Sequence, residues 1–276
     1  NNLFYWAVNQ SIVQRALGAK NLAEGQKGAL LAGVFKTIGV FYLVLPGVIA
    51  YHLYGGHIQN ADTVYPRLIV DLLPTALIGV FAAILFGAIL SSFNGSLNST
   101  ITLFTLDLYK PLFKPEAKEE ELVKTGRIFV VILAAVSIII APFILFAPSG
   151  LYNYLQEMFG FFNVPVLAAV VVGFFSKKVP ALAVKWAIFA HIVLYTISKI
   201  YFGHIHFLYI LAVLFPFSVL LMLFIGRLKP RPSEFKLEKN AKVDLQPWKH
   251  AKLASVLVIC LMACIYLLFS PWGLAK

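Results

Sequence analysis

Charge is what this sequence has least of. Only 13% of its residues are charged while 60% are hydrophobic and mean hydropathy is +0.84, a balance that excludes an ordinary soluble domain. Cysteine is nearly absent. Cys260 and Cys264, one helical turn apart, offer no second pair for a disulfide framework or a metal, and read as small packed hydrophobes. Catalytic constellations are missing as well. His204 and His206 share one short loop, and His52 and His57 share another, with no acid pair at ligand spacing. There is no nucleophile elbow and no glycine-rich phosphate loop. The serine-rich run has no histidine on its own helix, which argues against a membrane-embedded hydrolase and against an enzyme in general. Neither an initiator methionine nor a signal peptide is present, and since the first residues already lie inside a hydrophobic segment, this says nothing about targeting.

Long apolar runs fill the space that charge leaves. Crossing a hydrocarbon core takes about 20 residues, and such runs recur at 29–53, 72–106, 128–146, 151–175, 181–201, 208–225 and 253–269. The opening from Leu3 makes an eighth, incomplete crossing. Continuous runs without ten-residue alternation indicate helices rather than a barrel. The expected fold class is an all-α polytopic membrane protein.

The net charge of +11 sorts by side of the membrane. With the first loop cytoplasmic and topology alternating, Arg15, Lys20 and Lys27 fall inside, as do the clusters Lys110–Arg127, Lys177–Lys178 and Arg227–Lys252. Only Arg67, Lys199 and Lys276 remain for the outer side, with Lys36 and Lys185 inside helices. Positive charge is a topology signal here and calls for no nucleic-acid partner. The polar stretch at 227–250 reads as a cytoplasmic linker, either simply solvated or lying on anionic lipid.

Polar residues at membrane depth carry the functional information. Lys36 lies nine residues beyond Lys27, about 14 Å into the bilayer. A charge there costs roughly 2.5–3.5 kcal/mol, so it must meet a partner or a cavity. The readings are an ion pair inside the bundle, with Glu157 as candidate partner, a polar solute site, or a channel lining. In the run SSFNGSLNSTITLFT, Ser91, Asn94, Asn98, Thr102 and Thr105 share one helical face. Small hydroxyls allow close helix packing, and they also offer hard oxygen ligands of the kind sodium needs. In the segment from Tyr152, the residues Asn153, Tyr154, Gln156 and Glu157 are polar, and Gly160 with Pro165 is expected to interrupt the span and bend it at a cavity wall. Amides and aromatic rings suit a neutral polyol, although Tyr and Asn also serve as interfacial anchors.

Five stretches in this order, NNLFYWAVNQSIVQRALGAKNL, the Lys36 helix ending in LPG, VYPRLI, FGAILSSFNGSLNSTITLFTLDLYK and YLQE, resemble the sodium/solute symporter family, in its sodium/glucose branch. The resemblance runs from the start to at least Phe175. It implies the leucine-transporter-type inverted-repeat bundle, with this chain as its second half. Residues 1–175 would hold core helices six to ten, the sixth broken near the midplane, and 176–276 would hold additional peripheral helices with the cytoplasmic linker.

By that resemblance Asn2, Lys36 and Gln156 match positions that bond sugar hydroxyls. Tyr5 matches the aromatic stacked beneath the sugar as inner gate, with Trp6 beside it, and Tyr152 falls where an outer-gate Phe is common. Ala88 and Ser91, through backbone oxygen or hydroxyl, and Ser92, through its hydroxyl, match half of a sodium site; the other half and the rest of the sugar site would come from upstream helices. The implied activity is sodium-coupled symport of a glucose- or galactose-like sugar into the cell by alternating access, in the cell membrane, with sodium as coupling ion. Each inward charge gains about 2.3 kcal/mol per 100 mV, enough to concentrate a neutral solute roughly fifty-fold. The alternatives are another solute, such as myo-inositol, sialic acid or an amino acid, and a transporter-like membrane sensor or scaffold.

Overall fold

In the computed structural model of the chain, residues 2–55, 60–146, 150–234 and 244–273 are described. His57, Lys236, Lys239, Lys242 and Lys276 lie outside them. The described residues contain helices and no strand. The main helices are α1 (Asn2–Ala7), α2 (Gln10–Leu17), α3 (Leu22–Tyr54), α4 (Val64–Leu72), α5 (Thr75–Leu112), α6 (Glu119–Ile144), α7 (Leu151–Phe175), α8 (Ala181–Tyr201), α9 (Phe207–Leu228) and α10 (Ala251–Leu268). Of these, α3 and α5 to α10 are long and apolar enough to cross a membrane. The protein is an all-α polytopic membrane protein.

Two compact units form. One comprises Asn1–Val13 and Leu151–Asn240, the other Gln14–Gly150 and Ala241–Lys276.

In the first unit α7, α8 and α9 pack on one another, and α1 packs on α7. Close approach is possible because the facing positions are small. Gly160 lies against Leu211 and Tyr195, and a Cβ there would come within 3.0 Å of both. Two buried clusters fill the space, Val164 with Tyr195, Phe207, Leu211 and Leu214, and Ala168 with Val172, Ala183, Ala187 and Met222. A polar set runs through this packing. The fully buried His191 ring bonds the Gly160 carbonyl at 3.1 Å and the Ser218 hydroxyl at 3.3 Å. Tyr195 donates to the Glu157 carbonyl at 3.2 Å, and Lys199 pairs with the Glu157 carboxylate at 2.6 Å. The expected interruption of α7 does not occur. Its helix is continuous through Gly160 and Pro165, because Pro165 is fully buried among helices that hold the backbone in place.

In the second unit α3 packs with α10, its outer end with α4, and α5 with α6. Asn21 caps α3, its side chain accepting from the Glu24 N–H at 2.9 Å. At the far end Tyr54 donates to Asp71 at 2.7 Å, and Arg67 stacks 4.4 Å from the Tyr54 ring centre, which ties α4 to α3. Glu119, Glu120 and Glu121 open α6, where carboxylates complement the helix dipole. Glu121 accepts from Tyr109 at 3.2 Å and pairs with Lys114, whose ammonium pKa is raised chiefly by that hydrogen bond. Two segments widen into π-turns, Val40–Val44 in α3 and Phe104–Tyr109 in α5. Each ends two residues before a proline, Pro46 and Pro111, whose missing N–H and bulky ring disrupt the regular helical ladder. Both cysteines are exposed on α10 rather than packed within the described residues, since that helix buries no residue.

Candidate functional site

The first unit carries five of the nine site residues expected from sequence. The chain opens as a broken helix. After Ala7 the backbone leaves α1, and Asn9 restarts α2, its side-chain oxygen accepting from the Ser11 N–H at 3.0 Å and hydroxyl at 2.7 Å. Asn2, Tyr5 and Trp6 all sit on α1, before the break, and all three are exposed. The Tyr5 and Trp6 rings meet edge to face, 5.5 Å between centres. On α7, against which α1 packs, Gln156 donates to the Tyr152 hydroxyl at 3.3 Å, joining two of the expected residues directly. The neighbouring face of α7, at Glu157, Gly160, Val164 and Ala168, is committed to α8 and α9. Tyr152 is exposed and Gln156 is half-buried.

Glu157 has a partner within its own unit. Its carboxylate is held by Lys199, a partner 42 residues away that no local sequence pattern indicates. Lys36 itself is exposed and makes no hydrogen bond or ion pair among the described residues, with Thr37 beside it bonded to the Gly33 carbonyl at 2.8 Å.

In the second unit the hydroxyl run on α5 divides into two populations. Ser96 donates to the Ser92 carbonyl at 3.1 Å, Ser99 and Thr100 both donate to the Ser96 carbonyl, Thr102 donates to Asn98 and Thr105 to Ile101. These hydroxyls are satisfied within their own helix, as small polar residues in membrane helices commonly are. Ser91 and Ser92 are different. Both are exposed, and neither side chain makes a hydrogen bond among the described residues. Ala88 lies one turn before Ser92 on the same exposed stretch, and the helix is not unwound there, so its carbonyl has one lone pair engaged in the ladder and one open.

Ser91 lines a polar cleft of about 790 Å³ with Gln14, Arg15, Asn94, Gly95 and Asn98. The Arg15 guanidinium enters the space over Gly95, where a Cβ would come within 2.5 Å of it. Sequence reading assigned Arg15 only to topology. The signal that places it here is a glycine inside an otherwise polar helical run.

Residues 3–193 match the sodium:solute symporter family. The chain belongs to that family. It is 44% identical over 273 residues to the uncharacterized symporter YidK of Escherichia coli (strain K12), covering 99% of this chain and 48% of that protein. It is 34% identical over 210 residues to the human sodium/myo-inositol cotransporter 2, covering 70% of this chain and 31% of that protein. It is 32% identical over 203 residues to the Sus scrofa sodium/glucose cotransporter 1, covering 67% and 30% respectively. The chain thus spans about half the length, or less, of the curated relatives it matches. As a symporter-family chain with seven membrane-crossing helices it is a multi-pass protein of the cell membrane, related to transporters and not to enzymes.

Proposed function

We propose that the protein is a sodium-coupled symporter for a sugar or polyol, working by alternating access. One observation supports this most directly: in a run of seven serines and threonines, Ser91 and Ser92 have hydroxyls left unbonded by their own helix, at the positions where the family resemblance puts sodium. A small hard cation is held by several oxygens, and two free hydroxyls with the open lone pair of the Ala88 carbonyl would supply one side of such a shell. Neutral solute would be bound by the amide of Asn2, the ammonium of Lys36 and the amide of Gln156, with the Tyr5 ring stacked beneath it, Trp6 beside that ring and Tyr152 as outer gate.

Sodium would bind first, bridging α5 to a helix from the upstream half of the transporter and favouring the outward-open state that admits solute. Rocking of the bundle would then expose both to the cytoplasm. Relatives named for glucose and for myo-inositol are almost equally similar, so the polar groups support the polyol class and the individual solute is open.

The test is uptake of labelled galactose, glucose and myo-inositol by vesicles containing the full-length protein, with sodium or potassium outside. Sodium should accelerate uptake of at least one of them by tenfold or more. Equal uptake in both salts would overturn the coupling.

A further inference from the structure

Three consecutive turns of α8 carry a polar residue on one face, His191, Tyr195 and Lys199, and all three tips land on a single turn of α7. The Gly160 carbonyl accepts from the imidazole, the Glu157 carbonyl accepts from the Tyr195 hydroxyl, and the Glu157 carboxylate takes the Lys199 ammonium. A carbonyl can only accept, so Nε2 of His191 carries the hydrogen. In the neutral ring Nδ1 then accepts from the Ser218 hydroxyl of α9, which also lies 2.8 Å from the Leu214 carbonyl. His191, Tyr195 and Ser218 are all fully buried.

Apolar contact already holds these helices together, through Val164 of α7, Tyr195 of α8 and Leu211 and Leu214 of α9. Such contact is non-directional, and it resists separation more than it resists rotation. Hydrogen bonds weaken steeply once donor and acceptor leave their line. Two bonds to carbonyls three residues apart, with an ion pair beside them, therefore leave α7 one rotational setting against α8. The absence of a side chain at Gly160 lets the Tyr195 hydroxyl come close enough to reach the backbone. Gln156 directly precedes Glu157 and stands one turn before Gly160, and its amide is the group that donates to Tyr152. Rotation of α7 would carry both side chains with it.

We infer that His191 and Tyr195 are positioning residues for solute recognition: without touching the solute, they set the rotation of α7 and so the aim of Gln156 and Tyr152. This rests on the reading of those two residues as solute contacts given above.

The experiment compares His191→Leu, His191→Gln and Tyr195→Phe in the full-length protein, reading uptake into vesicles and helix geometry separately. At saturating sodium, His191→Leu and Tyr195→Phe should each raise the solute KM about fivefold, while kcat and the sodium concentration for half-maximal uptake move less than twofold. His191→Gln sets an amide N–H where the ring has Nε2, and its KM should stay within twofold of the unsubstituted protein. For geometry, Asn153→Cys on α7 and Tyr209→Cys on α9 are spin-labelled in an otherwise cysteine-free background. Their separation should be one narrow distance with His191 or Gln in place and broadened in His191→Leu and Tyr195→Phe. The distances need no transport, so they decide the clamp even where uptake proves independent of sodium. Unchanged distances in both variants would overturn it. Broadened distances with an unaltered solute KM, or equal losses in solute affinity, sodium affinity and kcat, would leave a merely structural contact and overturn the positioning role.

Discussion

At the scale of single residues, identical chemistry has different meanings within two helical turns. Ser92 and Ser96 look alike in the sequence, yet Ser96 donates to the Ser92 carbonyl while Ser92 donates to nothing described. Ser92→Ala in the full-length protein should therefore raise the sodium concentration for half-maximal uptake at least tenfold. Ser96→Ala should shift it less than twofold, since its hydroxyl is spent on its own backbone. Sodium-activation curves of the two variants check this, and a normal curve for Ser92→Ala removes that residue from the site. The shared face of this run was legible from its spacing, but which members were satisfied was not. That division depends on side-chain rotation toward the preceding turn, which periodicity does not encode. Arg15 was missed for a related reason: its long side chain reaches a glycine 80 positions away.

Elements were legible where polar punctuation coincides with the hydrocarbon boundary. The bounds of α7 and α8 agree with the apolar runs because Gly150, the Ser176–Lys178 turn and Pro180 close them. Elsewhere hydropathy detected the buried stretch and not the whole helix. α3 starts seven residues before the expected Ala29 because Asn21 caps it, and α6 starts at Glu119 rather than Ile128 because three glutamates favour its first turn. The packing of α7 on α8 gives a prediction of its own. The Glu157 and Lys199 side chains are 27% and 29% exposed, so breaking the pair should cost about 1–3 kcal/mol, between the surface and fully buried cases. Glu157→Gln and Lys199→Met should each lower thermal stability in detergent, and the double variant should lose less than the sum of the two. Strict additivity would mean that the pair contributes nothing.

For the whole molecule, the asymmetry of charge was the strongest sequence signal, since α-helical topology follows lysine and arginine more than any local pattern. In an otherwise cysteine-free full-length protein in sealed right-side-out vesicles, a cysteine replacing Lys177 should resist a membrane-impermeant thiol reagent until the vesicles are opened. One replacing Arg67 should react at once. The reverse result would invert the topology. Burial was much less legible. Buried residues make up 22–28% of the membrane windows of α7, α8 and α9, but only 0–6% in α3, α5, α6 and α10. The first group supplies its own interior, whereas the second presents its surface to lipid or to other protein, a distinction invisible in hydropathy because both environments select the same apolar side chains.

The wide turn at Val40–Val44 has a consequence for how this helix tolerates change in length. Such a turn accommodates one surplus residue, so everything beyond it is rotated by about 100° from where an unbroken spiral would put it. Removing a single amino acid from that stretch would let the coil close up into a regular helix, and Leu45–Tyr54 would keep the stripe it now presents. Loss of one codon there would thus be absorbed on the spot, whereas the same loss in a regular stretch would twist everything beyond it.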